Sequence, residues 1–329
     1  MKFSQILVLA GVAMASPTPT INKVDKRTLE KRASITEACD IGYASSNGGT
    51  TGGAGGTTTT VTDFASFSEA AQADGPKVIV VSGDISDSGE IEPTSDTTIV
   101  GASGGASLTG IAINIRKVDN VIVRNLKIGL VPADVGDCIG IETSTHVWVD
   151  HCDLSGDLTA GKDDYDGLFD VKRGSDYITV SNTYFHDAWK ASLIGHSDSN
   201  ADQDTGHLTI TYANNHWENI NSRAPSVRFG TVHIFNNYYD TIESSAVNTR
   251  MAAQVLVEST QFVNTETAIV AEYSDDTGFA NVNDVDLGDG TNTAPTGDLS
   301  SSSLPYTYTL VGSAKVASAV ADAGATLTW

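Results

Sequence analysis

A short pattern, apolar-x-apolar-x-(Asn or similar)-x-x-(large apolar), occurs six times between residues 121 and 262 and constrains the fold of this chain more than any other feature. The copies are Val121, Val123, Asn125, Ile128; Val147, Val149, His151, Leu154; Ile178, Val180, Asn182, Phe185; Ile210, Tyr212, Asn214, Trp217; Val232, Ile234, Asn236, Tyr239; and Val255, Val257, Ser259, Phe262. Their first positions step by 26, 31, 32, 22 and 23 residues, so about 22 residues is the minimal unit and the longer steps carry insertions. Such a unit cannot bury its own apolar residues and must stack on the next. Within each copy the two-residue alternation is that of a strand.

Stacked coils of this length predict an all-β architecture, a right-handed parallel β-helix (a solenoid) with extruded loops. Equivalent side chains then form interior ladders. Asn125, His151, Asn182, Asn214, Asn236 and Ser259 are expected at the turns, where side-chain amides satisfy the backbone of the bend. His151, next to Asp150, is on this reading a structural histidine. The insertions at 156–166 and 187–206 are expected as loops on the binding face. Residues 63–73, with Phe64, Phe67, Ala70 and Ala71 at helical spacing after Thr62, predict a short N-terminal helix. Beyond Phe262 the pattern fades. The acidic, Gly/Ser/Thr/Asn-rich segment 275–304 is expected to wrap the outside, and 306–310 to add a last strand or cover the open end.

Residues 1–16 have the form of a secretory signal: Lys2, the apolar run from Ile6 to Met14, then small residues. Residues 17–32 contain the dibasic pairs Lys26-Arg27 and Lys31-Arg32 and read as a pro-segment, leaving 33–329 as a single β-helical catalytic domain of a secreted, extracellular protein. No run is long enough to span a membrane. Processing removes six basic and two acidic residues and moves the net charge from −22 to −26, with 13 basic residues against 39 acidic. Such a surface rejects nucleic acid and anionic membranes. Yet seven of those 13 basic residues (Lys162, Lys172, Arg173, Lys190, Arg223, Arg228, Arg250) lie between 160 and 250, which allows a local cationic site. The three cysteines, Cys39, Cys138 and Cys152, permit at most one disulfide.

Chemistry concentrates in Asn221-Ser-Arg-Ala-Pro-Ser-Val-Arg-Phe-Gly230. Pro225 and Gly230 read as loop punctuation that leaves Arg223 and Arg228 able to face an anion, although two solubilising surface arginines would look the same. Asp137, Asp166 and Asp170 fall at neighbouring places in successive coils and could converge on one oxygen-only site. Hard oxygen donors without His or Cys favour Ca²⁺ over zinc or copper; the bland alternative is a set of acidic turns.

At these residues the chain resembles the extracellular fungal pectate lyases, the β-helical family-one polysaccharide lyases. The resemblance spans the mature chain from Cys39-Asp-Ile-Gly-Tyr43 onward. It is carried by Val147-Trp-Val-Asp-His-Cys152, the Asp166 to Asp170 spacing, Phe185-His-Asp-Ala-Trp-Lys190 and the arginine segment. It implies calcium bound by Asp137, Asp166 and Asp170, substrate contacts from Lys190 and Arg228, and proton abstraction by Arg223. It further implies a monomer that cleaves polygalacturonate internally by β-elimination to 4,5-unsaturated products. Two positions depart from the family pattern: Val135 stands where some relatives carry a further acidic ligand, and Ala188 where fungal relatives often carry histidine.

Three other readings share the scaffold. Polygalacturonases hydrolyse with paired carboxylates, but their Gly-His-Gly is broken here at Gly195-His-Ser197. Pectin lyases take the methyl ester without calcium, a reading opposed by the retained Asp137, Asp166 and Asp170. A non-enzymatic carbohydrate-binding β-helix has no reason to keep two arginines beside a candidate metal site.

Overall fold

The computed structural model describes residues 33–329, so the expected signal and pro-segment lie outside the described residues. All pairings between its 23 strands are parallel, and they run between successive coils rather than along a flat sheet. The chain is a parallel β-helix of about ten turns. Three strips of strands run along the coil axis. The first begins at Thr57–Val61 and passes through Asp119–Arg124, Thr145–Asp150, Asp176–Ser181, Thr209–Ala213 and Thr231–Phe235 to Gln254–Val263 and Phe279–Asp286.

The predicted repeat matches this register. Val121, Val147, Ile178, Ile210, Val232 and Val255 pair one to the next across five interfaces. Ile128, Leu154, Phe185, Trp217, Tyr239 and Phe262 do the same on the second strip. All twelve are buried, because in each coil these side chains point inward onto the layer below. The repeat also extends further than the pattern suggested. Lys77–Val81 and Thr97–Gly101 are earlier rungs of the first strip, with Lys77 and Thr97 at the position taken elsewhere by Val or Ile. Both are buried, with Lys77 Nζ hydrogen-bonded to the hydroxyls of Thr94 and Thr97.

The polar ladder requires a correction of one residue. Asn125, His151, Asn182, Asn214, Asn236 and Ser259 all sit at left-handed turns, with φ between 47° and 57°. Asn and similar short polar residues tolerate that conformation best. Asn125, Asn236 and Ser259 are buried and accept from Leu327 N, Val311 N and Gly312 N of the C-terminal segment, whereas Asn182 and Asn214 are only half-buried. A second buried ladder, one residue further along, consists of Thr183, Asn215 and Asn237. Asn215 Oδ1 accepts from Thr183 N (2.9 Å), and Asn237 Oδ1 accepts from Asn215 N (3.3 Å). Asn237 Nδ2 donates to the carbonyls of Tyr212 (2.7 Å) and Phe235 (2.8 Å). Asp150 Oδ2 accepts from His151 Nδ1 (2.8 Å) and from Arg124 Nε (2.8 Å), as befits a structural histidine.

The helix runs Phe64–Gln72, capped by Asp63 rather than Thr62: Asp63 Oδ1 accepts from Ser66 N at 2.9 Å. The C-terminal expectations are also revised. Phe279–Asp286, within the segment expected to wrap the outside, is a further rung paired to Gln254–Val263. Residues 306–310 form no strand and lie along the flank of the coils, where Tyr306 Oη meets Thr211 Oγ1 and His233 Nδ1, each at 2.9 Å. The three cysteines are buried and unpaired. Burial raises each thiol pKa, that of Cys152 to about 12, so these thiols are inert.

Candidate active site

The third strip carries the chemistry. Its strands are the end of Ala106–Arg116, then Ile139–Glu142, Phe169–Lys172, Ser192–Ile194, Ser226–Arg228, Val247–Arg250 and Ile269–Val270. Alternation along each strand sends Ile139, Ile141, Phe169, Val171, Ile194 and Val227 into the core. The intervening residues face outward in register. One outward row contains Asn114, Gly140, Asp170, Leu193, Ser226 and Asn248. The expected loop around Arg223 is therefore partly strand: Arg228 projects from Ser226–Arg228, and only Arg223 lies in a turn, with φ 64°.

Asp137, just before Ile139–Glu142, and Asp170 are both buried and share one ammonium. Lys172 Nζ lies 2.9 Å from Asp137 Oδ2 and 3.3 Å from Asp170 Oδ2. Gly167 N donates to Asp137 Oδ1 (3.1 Å), and Leu193 N to Asp170 Oδ1 (3.0 Å). Burial and the charge of Asp137 push the Asp170 carboxyl up to about 7, against the pull of Lys172 and Arg223. Burial likewise raises Asp137. The charge of Asp166 also acts on Asp137 and helps to raise it, while its carboxylate accepts from Lys190 Nζ at 3.2 Å. Among the described residues no three acidic, His or Cys side chains are already gathered as a metal cage.

The buried pair nevertheless suits a hard divalent cation. Two buried carboxylates facing one ammonium leave negative charge uncompensated. Gly167 keeps space open between them, since a Cβ there would fall 2.6 Å from Asp170 Oδ1 and 2.8 Å from Asp137 Oδ1. Val135, which replaces the expected extra acid, packs partly against the core and lines the small cavity beside Asp137.

Beyond the carboxylates a cavity of about 410 Å³ is lined by Lys162, Lys190, Arg223, Arg228 and Arg250, with Tyr273 at its edge. Five of the seven basic residues clustered in sequence thus share one space. Lys190 is held by Asp163 (3.0 Å) and Asp166 (3.2 Å). Burial opposes its charge, but these two carboxylates outweigh it and raise its pKa. Arg228 donates from Nε to Asp198 and from Nη1 to Gly195 O (3.0 Å). Arg250 donates to Ser274 Oγ (2.8 Å) and to the Tyr273 carbonyl. The Arg223 guanidinium forms no ion pair with a described carboxylate, and its charge acts on both Asp163 and Asp170. Ala188, where fungal relatives often carry histidine, is a core residue paired with Ile220.

In the sequence Lys172 and Arg250 stood out only as members of the basic cluster, with no role of their own, and Tyr273 not at all. For Lys172 the available signal was its two-residue offset from Asp170, which puts both on the outward face. Arg250 is likewise the register partner of Arg228, but only once the coil boundaries are known.

A parallel β-helix whose outer face joins buried carboxylates to a five-cation cavity presents a charged surface suited to an anionic ligand. Comparison with known proteins sharpens this to a family. The pectate lyase sequence family matches residues 14–327. Pectate lyase plyB of Emericella nidulans is 56% identical over 97% of this chain and 98% of its own length. Pectate lyase B of Colletotrichum gloeosporioides is 53% identical, with all of both chains covered. The crystal structure of a pectate lyase from Bacillus sp. N165 in complex with trigalacturonate superposes with a TM-score of 0.80 at 30% identity, covering 87% of this chain and 98% of that one. The chain belongs to the pectate lyase family and is a polysaccharide lyase.

Proposed function

We propose that this protein is a calcium-dependent pectate lyase that cleaves (1→4)-α-D-galacturonan internally by β-elimination, giving 4,5-unsaturated oligogalacturonides. The observation that carries this reading is the juxtaposition of Arg223, without an ion-pair partner among the described carboxylates, with the buried Asp137/Asp170 pair on one side and Lys190 and Arg228 on the other. The substrate is polygalacturonate, laid along the third strip. The bound trigalacturonate of the Bacillus relative supports that class of ligand.

The reaction removes the C5 proton of a galacturonate and expels the C4 glycosidic oxygen of the same residue. Charge developing on the enolate adds to the sugar's own carboxylate, so cationic side chains stabilise the transition state more than the ground state. Lys190 and Arg228 bind and orient the carboxylates flanking the cleaved bond. Arg223 is placed to take the C5 proton, which requires its guanidinium to be neutral at that moment. Lys190 is the poorer candidate base, because its carboxylate partners stabilise the protonated form. Asp137, Asp166 and Asp170 would hold calcium, whose role when bound is to neutralise substrate carboxylate and acidify the adjacent proton. The retained carboxylates and the cationic rather than aromatic groove weigh against a pectin lyase acting on neutral methyl ester. We further propose that the protein is secreted as a monomer after removal of residues 1–32; among the described residues no helix is long and apolar enough to cross a membrane.

The test is incubation with polygalacturonate, with and without EDTA, while following the ultraviolet absorbance of an unsaturated uronide. Absorbance that rises with calcium and stops with EDTA is expected, with a rapid fall in viscosity marking internal cleavage. New reducing ends without absorbance would overturn the lyase assignment. Cleavage of methylated pectin that persists in EDTA would move it to pectin lyase.

A further inference from the structure

The insertion at 187–206 brings a carboxylate to two of the arginines that line the cationic cavity. Asp198 Oδ1 accepts from Arg228 Nε and, at 2.9 Å, from Ser274 Oγ; Arg250 Nη2 lies 3.8 Å away. Ser274 Oγ also accepts from Arg250 Nε at 2.8 Å, so one carboxylate and one hydroxyl tie the two arginines together. Arg228 and Arg250 are register partners on adjacent strands, and strands in a sheet lie only about 4.8 Å apart. Two guanidinium groups carried side by side on adjacent strands repel each other. Burial and then the charge of Arg228 draw the Arg250 pKa down to about 10, while Asp198 acts in the opposite direction.

The orientation of Arg228 follows from these bonds. A guanidinium has five N–H groups in a rigid fork. Asp198 takes Nε and the Gly195 carbonyl takes one hydrogen of Nη1, which leaves the Nη2 end for the cavity that Arg228 lines. Gly195 is specifically suited to this. Its φ is 76°, and a Cβ there would fall 2.9 Å from Arg228 Cβ.

We propose that Asp198, seconded by Ser274, is a positioning residue that holds Arg228 and Arg250 as a preorganised pair for consecutive carboxylates of one galacturonan chain. The inference rests on the galacturonan reading above. It goes further by assigning a binding role to an acidic residue, whose charge alone would repel the substrate. Its contribution is to order two long side chains before the substrate arrives, so that less freedom is lost on binding.

The test is a double-mutant cycle on the full chain with Asp198→Asn, Arg228→Lys and the two combined, plus Ser274→Ala. Each variant is assayed for kcat and KM on polygalacturonate, for trigalacturonate affinity by calorimetry, and for melting temperature. Asp198→Asn is expected to weaken trigalacturonate binding and raise KM by about tenfold, the size of one lost charge-assisted hydrogen bond. The change in kcat should be smaller and the melting temperature nearly constant. In the Arg228→Lys background the same substitution should have little further effect, because its route is already removed. Ser274→Ala should shift affinity in the same direction by less, and it carries the test if Asp198→Asn fails to fold. Equal effects of Asp198→Asn in both backgrounds, or wild-type affinity with a lowered melting temperature, would reduce Asp198 to a loop tie. A wild-type protein that neither binds trigalacturonate nor releases unsaturated product would instead defeat the galacturonan reading itself.

Discussion

Phe185 and Trp217 lie one coil apart with ring centroids 3.9 Å apart and planes only 5° from parallel. Trp217 then stacks on Tyr239 (5.5 Å, 10°) and Tyr239 on Phe262 (4.5 Å, 10°), all four fully buried. The column joins four consecutive coils, so a hole in its middle interrupts stacking on both sides. Trp217→Ala should cost about 3–5 kcal/mol, read as a lower denaturant midpoint. Trp217→Phe, which keeps a ring in the column, should cost clearly less. Equal losses for the two variants would show that stacking adds nothing beyond volume.

The polar ladder makes a second comparison. Asn237 is wholly buried and satisfies four groups at once, two carbonyls, Trp217 Nε1 and Asn215 N. Asn182 is half-buried, and its amide donates to Asp150 Oδ1 at 2.9 Å. Asn237→Leu should therefore destabilise by several hydrogen bonds, roughly 1–3 kcal/mol for each buried group left unpaired, and Asn182→Leu by less. Thermal melts of the two variants decide it. A larger loss at Asn182 would return the structural ladder to the position that the sequence pattern favoured.

That one-residue difference shows what was legible in the sequence. Strand period and coil length are recorded in large apolar residues, so Val147 to Val255 and Leu154 to Phe262 align from the sequence alone. In pairs such as Asn214-Asn215 and Asn236-Asn237 both members are polar, and only the backbone decides which one turns inward. The site follows the same division. Asp137, Asp170, Arg223 and Arg228 stand near identifiable motifs. Arg250 and Asp198 are joined to the site by coil register and by the path of an insertion, and neither is encoded in local spacing.

A pH-dependent contribution is expected from Glu258, which fastens the C-terminal segment. Its carboxylate receives His233 Nε2 (3.1 Å), Asn283 Nδ2 (2.9 Å) and the Tyr308 hydroxyl. Burial alone would raise this carboxyl, but those bonds outweigh it and hold its pKa below the ordinary value. A lowered folded pKa stabilises above the unfolded pKa, about 4.3 for Glu, and is lost as pH falls through the folded value. Glu258→Gln should thus be less stable than wild type at pH 7, with the gap closing below about pH 4. A gap that stays constant from pH 7 to pH 3 would show that the ionised form is not the stabilising one.

For the metal, Asp170→Asn removes one buried charge without changing volume. The half-saturating calcium concentration should rise on the order of tenfold or more, because affinity at oxygen sites follows ligand charge. Calcium titration of the protein by calorimetry gives the answer independently of turnover, and circular dichroism checks the fold. An unchanged calcium affinity would remove Asp170 from the proposed ligand set.

Arg223 is the residue on which the chemistry turns, because its two conceivable roles predict opposite kinetics. If it takes the C5 proton, Arg223→Lys keeps a positive charge but changes reach and geometry. Turnover should then fall by about 10²–10⁴-fold, the usual contribution of a positioned general base, while trigalacturonate affinity barely changes. If it only clamps a carboxylate, the loss is of binding shared by ground and transition states, and affinity should fall with turnover largely kept. Arg228→Lys is the internal control. Arg228 is pinned by Asp198 and Gly195, so its substitution should act mainly on affinity. A lysine variant at Arg223 that turns over near the wild-type rate at saturating polygalacturonate would dismiss it as the base. Lys190 would then be tested next, against the handicap that Asp163 and Asp166 stabilise its protonated form.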